Sequence, residues 1–150
     1  MKKLLLFLVI STMSAAVIAQ GDEPVEWNYS AKKTANGVYE VVLTATVTQP
    51  WHIYSQNTGK GGPIPTQIVF KANPLITKLG SLKENGKLLK TYDKNFRTDV
   101  LSYAGTVSFV QVVKLRGAAK TNISGTVEYM VCNDEQCLPP VKKTFDIRLM

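Results

Sequence analysis

Two cysteines, Cys132 and Cys137, stand five positions apart within the segment Tyr129 to Pro140, at the tip of what the flanking residues predict to be a β-hairpin. Two thiols this close can cycle between dithiol and disulfide, so the pair is a candidate redox site. The competing role is a structural staple. Closing a loop of about six residues stabilises by roughly 2 kcal/mol, against about 4.7 kcal/mol for a hundred-residue loop. A bridge so local holds little tertiary structure, and the chain has no further cysteines with which to join two sheets. A metal site is the third reading. Cys132, Cys137 and His52 supply three ligands where structural zinc wants four, which leaves a soft-metal copper site open.

The immediate surroundings bear on reactivity. Asp134 and Glu135 lie between the cysteines, and their negative charge raises a thiol pKa. The reduced pair is therefore expected to be a sluggish nucleophile. That suits a carrier whose disulfide is attacked by a partner's low-pKa cysteine. His52 is the chain's single histidine, so any Ser/His/Asp triad would have to use it. Its place in the aromatic stretch Trp51-His52-Ile53-Tyr54 favours a satisfied structural histidine; beside the thiols it would instead take up a proton or, as imidazolium, lower a thiol pKa. Phe96, taken alone, is one more core aromatic. The glycine-rich stretch Gly59 to Pro65 lacks the Gly-Lys-Ser/Thr ending and following helix of a phosphate cradle, which excludes a nucleotide site of that kind.

The elements that must position these residues read as strands. Val25 to Thr34 predicts a first strand, and Asn36-Gly37 a hairpin turn, because both residues accept positive φ cheaply. Tyr39, Val41, Leu43, Ala45 and Val47 alternate with more polar residues, a period of two that lays one face on a core. Pro50 breaks or edges that strand. Gln67 to Lys71, Ile76 to Leu79 and Lys87 to Leu89 are short strand candidates separated by the turn signals Asn73-Pro74 and Asn85-Gly86. Thr91 to Ala104, polar and irregular with Tyr92, Phe96 and Tyr103, reads as a long loop, a feature that is often functional in compact domains. Val107 to Leu115, Thr126 to Cys132 and a closing strand with Phe145, Ile147 and Leu149 complete the set. Many short strands with no helical periodicity predict an all-β, antiparallel β-sandwich.

The N-terminus has the layout of a secretory signal peptide: Lys2 and Lys3, an apolar run from Leu4 to Ile10, then small residues, with cleavage expected after Ala19. The domain is expected to run from Gln20 to Met150, without a membrane span and without a lipid-anchor cysteine. An oxidising compartment follows, the periplasm of a bacterium. Loss of Lys2 and Lys3 lowers the formal charge from +7 to +5, and the remaining cations are dispersed along the chain. They read as solvated strand faces, with Lys83, Lys87, Lys90, Lys94 and Arg97 a local concentration that could steer an acidic partner. Export argues against a nucleic-acid partner. A monomer without a cofactor is expected.

Over most of the mature chain, the residues resemble the N-terminal periplasmic domain of the disulfide interchange reductase DsbD. The likeness is carried by the strand into Cys132, the short polar turn, Cys137 followed by Pro139-Pro140, and the closing strand. The stretch from Leu43 through Trp51-His52-Ile53-Tyr54 is similar to that family's aromatic strand, with His52 and Tyr54 at positions beside the cysteines. Phe96, with Tyr103 seven residues on, is similar to a cap loop whose aromatic covers the disulfide until a partner arrives, and Asp93 is the nearby acid. This sequence has four residues between its cysteines where a familiar member has five, Leu138 where an aromatic follows, and Lys94-Asn95 where an acidic pair stands. The resemblance implies an immunoglobulin-like fold and a protein-disulfide reductase component that relays reducing equivalents between thioredoxin-like proteins. It also implies that Cys137 forms the mixed disulfide and Cys132 resolves it. The longer proteins of that family continue into membrane and thioredoxin-like domains, so electrons are expected to come here from a separate protein, such as a membrane disulfide reductase. The remaining alternative is a binding or assembly module with a structural disulfide.

Overall fold

The computed structural model describes residues 23–118 and 120–150, and the expected signal peptide lies outside them. Eleven strands follow in order: β1 (Val25–Ala35), β2 (Val38–Val47), β3 (His52–Tyr54), β4 (Gln67–Phe70), β5 (Ile76–Gly86), β6 (Leu89–Asp93), β7 (Thr98–Tyr103), β8 (Gly105–Leu115), β9 (Thr121–Tyr129), β10 (Val131–Cys132) and β11 (Val141–Leu149). Among the described residues there is no helix.

Strands β1-β2-β8-β5 form one layer of an immunoglobulin-like sandwich; β10-β3-β7-β6 and β11-β9-β4 form the other. Every pairing is antiparallel. The β1–β2 hairpin closes at Asn36-Gly37 as expected, with Gly37 at φ 69°. Alternation does the rest: Tyr39, Val41, Leu43, Ala45 and Val47 of β2 are buried and meet Ile123, Val127, Tyr129, Phe145, Ile147 and Leu149 of the opposing layer in one core. Gly125 is required there. A Cβ on it would lie 2.2 Å from the Val69 carbonyl and 2.6 Å from the Phe145 ring.

Three segments differ from the sequence expectations. Thr91 to Ala104 is a hairpin of β6 and β7 with a short turn, Lys94 to Arg97, instead of a long loop. β6 is an edge strand with Lys90, Thr91 and Tyr92 in solvent, so it needs no apolar alternation to form. Ile76 to Gly86 is one strand, bent by an irregularity between Leu79 and Lys83 where Gly80 takes φ 68°. Asn85-Gly86 does not turn the chain; Gly86 pairs with Val107, and a Cβ there would sit 3.1 Å from the Thr106 carbonyl and the Val107 side chain. Finally, Thr126 to Cys132 is two strands that part at Met130. β9 pairs with β11, whereas β10 leaves that sheet and pairs with β3. The cysteine segment is thus carried across to the sheet that bears the aromatic stretch.

Candidate redox site

Parity along β3 decides which side chains meet. Ile53 pairs with Tyr103 and Val131, and all three side chains enter the main core. His52 and Tyr54, one position to either side, point to the opposite face with Cys132 and Ser102 as their partners in register. On that outer face Tyr54, Val100 and Cys132 form a separate small cluster, with Phe96, Met130 and Cys137 packed on it.

Cys132 and Cys137 are joined as a disulfide with Cα atoms 4.1 Å apart. Cys132 is fully buried and Cys137 partly exposed, so Cys137 is the more accessible of the two. The turn between them is held independently of the bridge. Asn133 Oδ1 accepts the Glu135 and Gln136 amides at 2.9 and 2.8 Å, the Asn133 amide donates to the Gln136 carbonyl at 2.9 Å, and the Leu138 amide donates to the Val131 carbonyl at 2.9 Å.

Above the disulfide sits the β6–β7 turn. Asp93, 7% exposed, builds it: Oδ1 accepts the backbone amides of Asn95 at 2.8 Å and Phe96 at 3.2 Å. Arg97 closes the turn at φ 56°, in the left-handed region. The Asn95 side-chain amide donates to the Asn133 carbonyl at 3.3 Å, so the two turns touch. Phe96 meets the Tyr54 ring edge-on, with centroids 6.3 Å apart.

Asp93 Oδ2 accepts the Tyr54 hydroxyl at 2.6 Å. Because the Tyr54 proton is spent on Asp93, its oxygen accepts from His52 Nε2 at 3.2 Å, which puts the proton of the neutral imidazole on Nε2. The Asp93 oxygen lies 4.0 Å from the same nitrogen. Burial pushes His52 below its ordinary pKa of 6.5, against the pull of Asp93 and then Asp134. Burial, the hydrogen bond to Asp93 and its charge push the Tyr54 phenol far above its usual range. Tyr54 therefore stays a neutral donor.

The structure brings Cys132, Cys137, Phe96, Tyr54, His52 and Asp93 together. It places Tyr103 elsewhere, in the main core with its hydroxyl donating to Glu84 Oε2 at 2.9 Å. The same carboxylate accepts from Ser55 Oγ at 2.7 Å and from the Gln56 amide at 2.8 Å, tying β3 and β7 to β5. Burial, followed by the Glu84 bond and charge, raises the Tyr103 phenol. Sequence reasoning missed Asn95 and Asn133; each is an asparagine at a turn, the signal that marks a side chain bonding nearby backbone. Among the described residues no cluster of three or more metal-ligating side chains is present. No described helix is long and apolar enough to cross a membrane.

The family model for the N-terminal part of the thiol:disulfide interchange protein DsbD matches residues 22–149. This chain belongs to the DsbD N-terminal domain family. Among curated proteins, none matches it by sequence. Solved structures with the same fold include the N-terminal periplasmic domain of ScsB from Proteus mirabilis, with a TM-score of 0.62 at 14% identity; it covers 83% of this chain, which spans 46% of that one. The reduced DsbD N-terminal domain of Neisseria meningitidis matches with a TM-score of 0.53 at 15% identity, over 81% of this chain and 84% of that one. A complex of the DsbD and PilB N-terminal domains from the same organism matches at 0.55 and 13%, over 88% of both chains. The outer-face cluster holds the disulfide under the β6–β7 turn and apart from the main core.

Proposed function

We propose that this DsbD N-terminal domain is an exported, periplasmic thiol-disulfide relay, passing reducing equivalents between thioredoxin-fold proteins through Cys132 and Cys137. The observation that carries the reading is a disulfide placed outside the main core, with one sulfur partly exposed and an aromatic turn packed on its cluster. A bridge meant as a staple would cross the sandwich; this one joins neighbours whose turn is already hydrogen-bonded.

In the exchange step, a partner thiolate attacks Cys137 in line, the Cys132 sulfur leaves as thiolate, and a mixed disulfide forms. Attack of the Cys132 thiolate on Cys137 would only reverse this step; transfer is completed when the partner's second thiol attacks its own sulfur in the mixed disulfide and releases Cys137 as thiolate. The partner is then oxidised to a disulfide, this pair is left as a dithiol, and two electrons have moved without an external oxidant. Phe96 is the cap, Asp93 positions it, and His52 and Tyr54 line the floor. The complex of a Neisseria DsbD N-terminal domain with a PilB N-terminal domain supports a protein partner.

The deciding experiment is the equilibrium reduction potential of the pair, measured by mass-shift alkylation in graded thiol buffers. A value between about −180 and −270 mV places it among exchangeable carriers, and one below about −300 mV marks a structural bridge and sinks the relay.

A further inference from the structure

Half of the lysines and arginines of the described residues lie at the end of the sandwich away from the disulfide, where few carboxylates accompany them. Three connections meet there, β1–β2, β4–β5 and β8–β9. The Leu115 amide donates to the Gly37 carbonyl and the Arg116 amide to the Leu75 carbonyl, while the Asn73 side chain reaches Thr121 and Asn122. Tyr39 adds a bond to the Met150 carbonyl, which seats the end of β11 on the same pole.

Lys32 and Lys33 stand where β1 ends, and Lys71 and Lys78 flank the connection from β4 to β5. Lys114, Arg116 and Lys120 border the connection from β8 to β9, and Arg148 lies in the last turn of register of β11. All are exposed. Against them stand two carboxylates, Glu40 opposite Lys32 and Asp146 bonded to the Asn122 side chain. Pairing separates the two ends further. Among the described residues the lysines in ion pairs are Lys90, Lys142 and Lys143, all on the disulfide half, and no cation of the far pole has such a partner.

The pole also carries an apolar hollow of ≈ 530 Å³, floored by Phe70, Pro74, Ile76 and Ile123 and rimmed by Lys71 and Lys78. The Lys78 ammonium lies 6.0 Å from the Phe70 ring centroid. On the same strand as Lys78, Leu79 is 39% exposed, and Met150, after the end of β11, is 72% exposed.

We propose that this pole is a docking face for an anionic lipid bilayer. Unpaired cations drawn from every connection at one end form a face rather than a track, which suits a surface of negative headgroups better than a single anionic strand. Lysines predominate, and a lysine is a point charge on a flexible stem that follows fluid headgroups without fixed fork geometry. Exposed apolar residues among them can enter the headgroup boundary, the combination that adds buried area to electrostatic attraction. Docked this way, β9 alone sets the disulfide turn about 27 Å off the bilayer at ~3.3 Å per residue, facing soluble partners. The inference does not depend on the exchange reading.

Sedimentation with vesicles tests it, using the protein purified in its exported form. Binding is expected with phosphatidylglycerol-containing vesicles, weakened by salt, and absent with phosphatidylcholine alone. Lys71→Glu, Lys78→Glu and Lys120→Glu together are expected to weaken binding by at least roughly tenfold, each lysine near an anionic surface being worth about fivefold. Lys60→Glu, Lys83→Glu and Lys87→Glu together are expected to change it less than about twofold on the same scale. Cys132→Ser with Cys137→Ser is expected to bind like the parent. Equal binding to neutral vesicles, equal losses in both triple variants, loss in the cysteine variant, or displacement by soluble polyglutamate at matched charge would each overturn the bilayer assignment.

Discussion

Asp93 and Tyr54 are joined by a 2.6 Å hydrogen bond that couples the cap turn to the floor of the disulfide cluster, because the second oxygen of the same carboxylate holds the Asn95 and Phe96 amides. One side chain thus fixes both where the cap begins and what it rests on. Asp93→Ala removes three hydrogen bonds at a buried site and leaves the Tyr54 hydroxyl without its acceptor. We expect a loss of about 2–4 kcal/mol in urea unfolding, together with faster alkylation of the reduced thiols. A variant as stable as the parent, with unchanged alkylation, would show that the turn is held by something else.

Phe96→Ala isolates the cap from its support. The ring is only partly buried, so the stability cost is expected to stay near 1–2 kcal/mol. Reduction of the disulfide by a small thiol is expected to speed up by about fivefold or more as access opens. Stopped-flow rates equal to the parent's would dispose of the cap.

The cysteines themselves are expected to matter little to folding. With Cys132→Ser and Cys137→Ser, the Asn133 turn and the Leu138 to Val131 bond remain. Chemical denaturation should reveal a loss of no more than about 2 kcal/mol. A much larger loss would favour the staple.

His52 gives the domain a pH dependence of defined sign. Burial lowers its folded pKa below the unfolded value of 6.5, so between those two values the unfolded chain binds more protons. Its favourable contribution is therefore present above pH 6.5 and is lost as pH falls through the folded pKa. Stability measured on either side of pH 6.5 should fall more steeply on acidification in the parent than in His52→Gln. Parallel curves would mean that His52 does not titrate in this way.

Much of the fold was legible in the residues, and the reasons for the exceptions are physical. Asn36-Gly37 and the alternation of β2 announce a hairpin because turn chemistry and a one-sided core act locally. The cap hairpin escaped because β6 is a polar edge strand and its turn is built by a side chain, Asp93, rather than by glycine. The split at Met130 escaped for a different reason. Val127, Tyr129 and Val131 are all buried, so the alternation runs on unbroken while the pairing partner changes. That the cysteines, His52, Tyr54 and Phe96 lie together could be expected from their spacing and family likeness. Tyr103 could not be assigned a face, because that depends on its register with Ile53.

The parity of β3 gives the domain a division of labour between two sides of one ribbon three residues long. Ile53 faces inward and anchors; His52 and Tyr54 face outward beside the cysteines. The outer fittings can be exchanged without rebuilding the mount, so reactivity and partner choice are free to drift while the scaffold stays constant. A slip of one residue would reverse the two roles and bury the polar pair in the core, which makes alignment here the tolerance on which the whole assembly depends.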